Sequence, residues 1–215
     1  MRDIKLVEGE FYHVYNRGVD RRIIFPHKRD FDRFLESMKI FNTKENIGNL
    51  TRHDNKKVKE RLVDFIAYCI NQNHFHFIIT PLIKNGIEKF MHKLCMGHSK
   101  YFNAKYQRSG TLFQGKFKAI HIDTDEYLLH LSAYVNLNDK VHRHQGESRS
   151  SWKEYVEGGV SSLCRKDIIL DRFKNRREYE VFAKEALKSI VERKLLLKDL
   201  ESDLFPLTPS VNTKK

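Results

Sequence analysis

The residues best suited to chemistry are His74-Phe75-His76. On a strand, residues two apart share a face with Cα atoms roughly 6–7 Å apart, so both imidazoles can reach one divalent ion from one rigid element. Phe75, Phe77 and Ile79 then point the other way, into a core. Two exposed histidines on a strand give the same spacing, and the spacing alone favours that plainer reading. A later segment changes the balance. Tyr134 and Asn138 are four apart, which stacks them on one helical face. The Asn138 side-chain oxygen could serve as a third ligand. Two imidazole nitrogens with one or two oxygens and open positions suit Mg²⁺ or Mn²⁺ loaded with a substrate phosphate. A structural zinc site more typically shows cysteine ligands. Tyr134 sits one turn from Asn138, so its hydroxyl could point at such a phosphate. With nine tyrosines in the chain, an ordinary buried aromatic is the competing reading. Tyr127, two turns earlier, is the competing tyrosine, but Leu131 rather than an amide stands four residues beyond it. His130 reads equally as a neighbour of the site or as an exposed helix histidine.

The whole chain fits a polyanionic partner. Its 215 residues carry 40 Lys and Arg against 28 Asp and Glu, a net charge of +12. That balance favours nucleic acid over an acidic membrane surface, since no basic amphipathic anchor stands out. The hydrophobic content of 40% supports a real core and argues against wholesale disorder. No apolar run approaches the roughly 20 residues that span a bilayer, and Met1 to Glu10 is mixed and polar, unlike a secretory leader. Cys69, Cys95 and Cys164 are widely spaced and odd in number, so they form neither a disulfide framework nor a paired-cysteine zinc motif. A cytoplasmic, nucleoid-associated location is expected.

The elements that must position these groups are legible in outline. Phe11 to Asn16 is aromatic and β-branched, hence a strand. Phe31, Phe34, Leu35, Met38 and Phe41 recur at helical spacing. Residues 46–61 are polar and lysine-rich. Val63 to Ile70 and His74 to Thr80 form a hairpin around Asn71-Gln72-Asn73. A helix is expected from Gly86 to Tyr106, and a strand or curled hairpin from Thr111 to Ile122. Asp123 reads as the N-cap of a further helix carrying Tyr134 and Asn138. The order β-α-β-β-α-β-α predicts an α+β fold: a ferredoxin-like split β-α-β sandwich, an antiparallel sheet with helices on one face. Residues 1–138 would form this domain. Residues 139–205 would form a loop and a helical C-terminal extension built on Tyr179, Phe182, Ala183, Leu187 and Ile190, and residues 206–215 an unstructured tail.

Basic residues flank the pair. Arg17, Arg21 and Arg22 lie at or past the first strand, Lys116 and Lys118 share one face of a later one, and Lys105 and Arg108 precede it. These could hold nucleic-acid backbone phosphates, with Tyr15 or Phe113 as a stacking surface. A scatter of solvated charges is an equal reading for any single one. Cys95 and His98, three apart on a helix, lack a partner pair for zinc and read as packing. His13 shares the sheet of the histidine pair and borders the same region.

Several ordered pieces together resemble a known family. They are Phe11-Tyr12-His13-Val14-Tyr15-Asn16-Arg17-Gly18, Ala67-Tyr68-Cys69-Ile70, Asn73-His74-Phe75-His76 and Lys100-Tyr101-Phe102-Asn103. Gly110-Thr111-Leu112-Phe113-Gln114-Gly115-Lys116-Phe117, Tyr127-Leu128-Leu129 and Tyr134-Val135-Asn136-Leu137-Asn138 continue the series, and the stretch from Ser161-Ser162 to Phe182 extends it. The sequence resembles the single-tyrosine HUH transposases, above all their REP-associated branch. Two departures stand out. The family usually has Met-Pro-Asn where Asn71-Gln72-Asn73 stands, and often Asn-Pro where Asn138-Asp139 stands.

The resemblance implies that His74, His76 and Asn138 bind a divalent ion and that Tyr134 attacks DNA. The implied reaction is transesterification of single-stranded DNA, with a 5′-phosphotyrosine formed and a 3′-hydroxyl released. The implied substrate is single-stranded or hairpin-forming repeat DNA, handled by a monomer or homodimer. A non-catalytic nucleic-acid-binding module on the same fold, or a metal-dependent hydrolytic nuclease, are the alternatives.

Overall fold

The computed structural model describes residues 5–45, 60–141, 146–158 and 163–204, with side chains as far as residue 192. The strands are β1 (Phe11–Arg17), β2 (Val63–Asn71), β3 (His74–Pro81), β4 (Lys118–Ile122) and the two-residue β5 (Arg149–Ser150). They form one antiparallel sheet in the order β4-β1-β3-β2-β5. The helices are α1 (Lys28–Ile40), α2 (Gly86–Lys105), α3 (Asp125–Asn136), α4 (Asn138–Val141), α5 (Trp152–Val156), α6 (Asp167–Leu170) and α7 (Arg176–Leu204). The α+β sandwich of the sequence reading is present. The expected tail at 206–215 and most of the lysine-rich connection lie outside the described residues.

Alternation along β3 divides the molecule into two cores. Phe75, Phe77 and Ile79 are fully buried against Phe31, Phe34 and Met38 of α1 and Ile87, Phe90 and Leu94 of α2. Each such side chain contributes about 1.5–3 kcal/mol by leaving water. The two crossover helices therefore share one face, as the pattern predicts. The opposite face is covered too, which the expectation of helices on one face did not include. There Cys69 and Ile78 meet Leu128, Leu131 and Val135 of α3, with Tyr155, Ile169, Tyr179 and Ala183 behind them. The C-terminal extension thus completes a second core.

A register shift in β2 sets which residues face this second side. It falls between Phe65 and Ala67, so that Phe65 lies in the first core while both Ile66 and Ala67 lie in the second. Such a bulge inverts the alternation of the residues beyond it. Tyr68 and Ile70 consequently return to the first core, and Cys69 and Asn71 face α3.

Three boundaries differ from the sequence reading. Of the strand or curled hairpin expected over 111–122, only Lys118–Ile122 is regular strand. Gly115 adopts φ +69° and turns the chain, leaving a single Gly18–Phe113 bridge upstream. Thr124, not Asp123, caps α3, accepting from the Tyr127 amide at 3.1 Å. The helix also stops at Asn136. Leu137 leaves helical geometry (φ −112°, ψ 19°), and Asn138 opens the short α4.

Candidate active site

The β2–β3 hairpin has a two-residue turn, Gln72-Asn73, which makes Asn71 and His74 direct cross-strand partners. On β1 the residues opposite the pair are Tyr15, facing His76, and Arg17, facing His74. Lys118 of β4 faces Tyr15 in turn. All share one side of the sheet. The segment after β1 clamps the turn: Gly18 N–H donates to Asn73 O at 2.8 Å, and the Ile24 and Phe25 amides both donate to Gln72 O. A side chain at Gly18 would collide with the Arg22 carbonyl, so only glycine fits this approach.

The late tyrosine meets the histidine pair. The Tyr134 ring stands edge-on to His76, with centroids 5.7 Å apart and planes at 82°. Asn138 is fully buried beneath them, its Oδ1 lying 3.2 Å from His74 Nε2. Tyr134, His74, His76, Tyr15, Asn16, Arg17, Arg21, Asn73, Gln114 and Lys118 line one cleft of about 590 Å³. Burial raises the Tyr134 hydroxyl above its ordinary value, and the Asn138 carboxamide pulls it partly back. The phenol is therefore held protonated at neutral pH.

Neighbouring imidazoles complete the floor. His13 Nε2 lies 2.9 Å from His76 Nδ1, and their rings stack at 5.1 Å. Burial pushes His13 down to about 4, so it is neutral at pH 7. Tyr15 stacks on the same His76 ring at 5.6 Å. His74 Nδ1 lies 2.6 Å from Asn73 Oδ1, an acceptor, so that nitrogen carries the proton and Nε2 turns toward Asn138.

Two imidazole nitrogens and one carboxamide oxygen are a donor set that could hold a divalent cation. His74 Nε2 and Asn138 Oδ1, 3.2 Å apart, are close enough to serve as ligands of one ion. Asn138 Nδ2 is buried without a hydrogen-bond partner among the described residues, as befits an amide whose oxygen is aimed elsewhere. No three His, Cys, Asp or Glu side chains among the described residues converge to hold a metal. The fit therefore depends on the asparagine.

The helix bearing Tyr134 is fastened from behind by polar contacts. Asn136 of α3 donates to Tyr179 Oη of α7 at 2.8 Å, and Ser132 contacts the same hydroxyl at 3.1 Å. Ser151 Oγ donates to Asn136 Oδ1 at 2.5 Å and accepts from the Tyr68 amide of β2 at 2.9 Å. All four side chains are buried or nearly so.

The other residues singled out in the sequence are dispersed. Arg22 turns back on Asp20 and the Val19 carbonyl. Lys105 pairs at 2.6 Å with Asp30, which is fully buried. Arg108 donates to Asn103 and to the Thr111 carbonyl. Lys116 is exposed outside the cleft. Phe113 is buried near Phe75 and His98, leaving Tyr15 as the cleft aromatic. His130 packs on Phe182, and Tyr127 is exposed at the start of α3. His98 donates to the Ile24 carbonyl inside the first core. In the sequence Asn71 reads only as part of the turn. Its signal was the short loop, which makes it the cross-strand neighbour of His74 and so part of the site face.

Comparison with known proteins finds one family model and a similar fold among solved structures. The model of the family described as IS200-like transposases matches residues 35–138, a span that includes His74, His76, Tyr134 and Asn138. Among solved structures, the chain resembles a REP-associated tyrosine transposase bound to a REP hairpin. The TM-score is 0.53 at 13% identity, covering 76% of this chain and 88% of that one. A search of curated proteins finds no match.

Proposed function

Taking residues 35–138 as an IS200-like transposase segment, we propose that the protein cuts and rejoins single-stranded, hairpin-forming DNA through Tyr134. The observation that carries this reading is the placement of the Tyr134 ring against His76, with Asn138 bridging toward His74, in one cleft rimmed by Arg17, Arg21 and Lys118.

His74, His76 and Asn138 would hold Mg²⁺ or Mn²⁺, which when bound polarises a scissile phosphate and offsets its developing charge. The chain's own residues do the rest. Arg17, Arg21 and Lys118 bind the phosphates on either side and fix the strand across the cleft. Tyr15 offers a face for a base. Tyr134 supplies the nucleophilic oxygen: its O–H proton leaves, the Oη–phosphorus bond forms, and the bond from phosphorus to the 3′ oxygen breaks. That oxygen takes up a proton and departs as a 3′-hydroxyl. The phosphodiester is conserved in the phosphotyrosine, so the reverse attack by a 3′-hydroxyl rejoins DNA without a nucleotide cofactor. Tyr134 lies beside the histidines of its own chain, which favours action within one protomer.

The test is incubation with labelled single-stranded hairpin DNA and Mn²⁺, followed by denaturing electrophoresis. A protein-linked 5′ end is expected. Free products without an adduct would indicate a hydrolytic nuclease, and binding without cleavage a non-catalytic module.

A further inference from the structure

Asn71 forms a contact that neither the nucleophile nor the ligand assignment uses. It is nearly fully buried at the end of β2. Its Nδ2 lies 2.8 Å from Asn138 Oδ1 and 3.0 Å from His74 Nε2. Those two atoms are 3.2 Å from each other. With the His74 proton on Nδ1, facing Asn73, both are lone-pair acceptors. Two acceptors this close, Asn138 Oδ1 fully buried and His74 Nε2 half-buried, repel unless something positive lies beside both. The Asn71 amide has two N–H bonds and two acceptors within reach of them. Its own Oδ1 is directed to Cys69 Sγ at 3.7 Å, which keeps the NH₂ end turned inward.

We propose that Asn71 is a positioning residue of the metal site, whose NH₂ group stands in for the cation and keeps the His74 and Asn138 ligand atoms converged while no ion is bound. The inference rests on the metal-site reading above. Without Asn71 the two acceptors separate, and binding an ion must first bring them back. The expected effect is a loss of affinity rather than of fold, since outer partners of metal ligands typically matter 10–100-fold.

The experiment is titration of the purified, metal-free full chain with Mn²⁺, by calorimetry and by electron paramagnetic resonance of free Mn²⁺, for wild type and Asn71→Leu. Circular dichroism and thermal melting verify folding. Wild type is expected to bind one ion, and Asn71→Leu to bind it about 10–100-fold more weakly with an unchanged spectrum. Equal or tighter binding by a folded Asn71→Leu would overturn the inference and leave the metal site standing. Absence of Mn²⁺ binding by wild type would overturn the metal site itself. Should Asn71→Leu fail to fold, imidazole ¹⁵N shifts of the metal-free wild type decide. The inference requires the His74 proton on Nδ1; a proton on Nε2 would leave no lone pair for Asn71 and refute it.

Discussion

The rings of Tyr134 and His76 meet edge to face, 5.7 Å between centroids, although one stands on a helix of the second core and the other on the central strand. The meeting depends on the sheet having two covered faces. α3 lies over the side of β3 that carries the histidines, while Phe75 and Phe77 fill the other.

Tyr134→Phe is expected to abolish the covalent DNA adduct, because in the proposed reaction the phenol oxygen forms the bond to phosphorus. Binding of the same DNA should change less than about threefold, since the ring and the basic rim remain. Tyr127→Phe should retain the adduct, as Tyr127 is exposed and one end of α3 away. Electrophoresis and fluorescence anisotropy on both variants check this.

The rate of adduct formation should climb with pH across the neutral range. Burial raises the Tyr134 hydroxyl above its ordinary value, so the phenolate fraction is small at pH 7 and grows about tenfold per pH unit. Single-turnover rates at saturating Mn²⁺ measure the slope. A flat profile would show that phenol deprotonation does not limit the rate.

Tyr179→Phe removes the hydroxyl that joins α7 to Asn136 and Ser132 of α3. Leaving buried polar partners unmatched costs about 1–3 kcal/mol, or roughly 2–10 °C in Tm for a chain of this size. The cleavage rate should fall with DNA affinity unchanged, because the helix that carries the proposed nucleophile loosens while the rim does not. Thermal melts paired with single-turnover kinetics separate the two effects.

The basic residues should divide into two groups. Arg17→Ala, Arg21→Ala and Lys118→Ala should each weaken DNA binding and reduce the salt dependence by about one phosphate contact. Lys105→Met should instead destabilise the fold by about 3 kcal/mol, because Asp30 is fully buried and loses its cation. Burial alone would raise Asp30, but hydrogen bonds from Lys105, Tyr106 and Tyr101 hold it below its usual range. Binding isotherms at several salt concentrations, with denaturant melts, distinguish the groups.

His98 makes the fold acid-sensitive. Burial lowers its imidazole to about 4 from the ordinary 6.5. The folded state therefore favours the neutral form, and this stability is fully present above pH 6.5 and lost as pH falls toward 4. The difference corresponds to roughly 3 kcal/mol. His98→Phe should reduce the slope of the stability profile between pH 4 and 7 in urea titrations, leaving the share of His13, which burial also lowers to about 4.

Much of this arrangement was legible from residue types. Alternation of Phe75, Phe77 and Ile79 against His74 and His76 set the two faces of β3, and the pairing of Tyr134 with Asn138 pointed to the segment that packs against those histidines. The β2 bulge was not legible, since nothing in Ile66-Ala67 marks an extra residue, yet it turns Asn71 toward the site. Gly115 was visible as a glycine, but its positive φ, which ends the regular strand, depends on tertiary context. The basic side chains were least legible. Lys105 and Lys118 look alike in sequence, and only the fold sends one to Asp30 and the other to the cleft.

The central claim is tested most directly by locating the adduct. Wild-type protein is reacted with hairpin DNA and Mn²⁺, the DNA is trimmed by nuclease, and tryptic peptides are read by tandem mass spectrometry. The nucleotide is expected on Tyr134, within the peptide spanning 119–140, which also contains Tyr127. A nucleotide on Tyr127 or any other residue, or cleaved DNA with no modified peptide, would contradict the account.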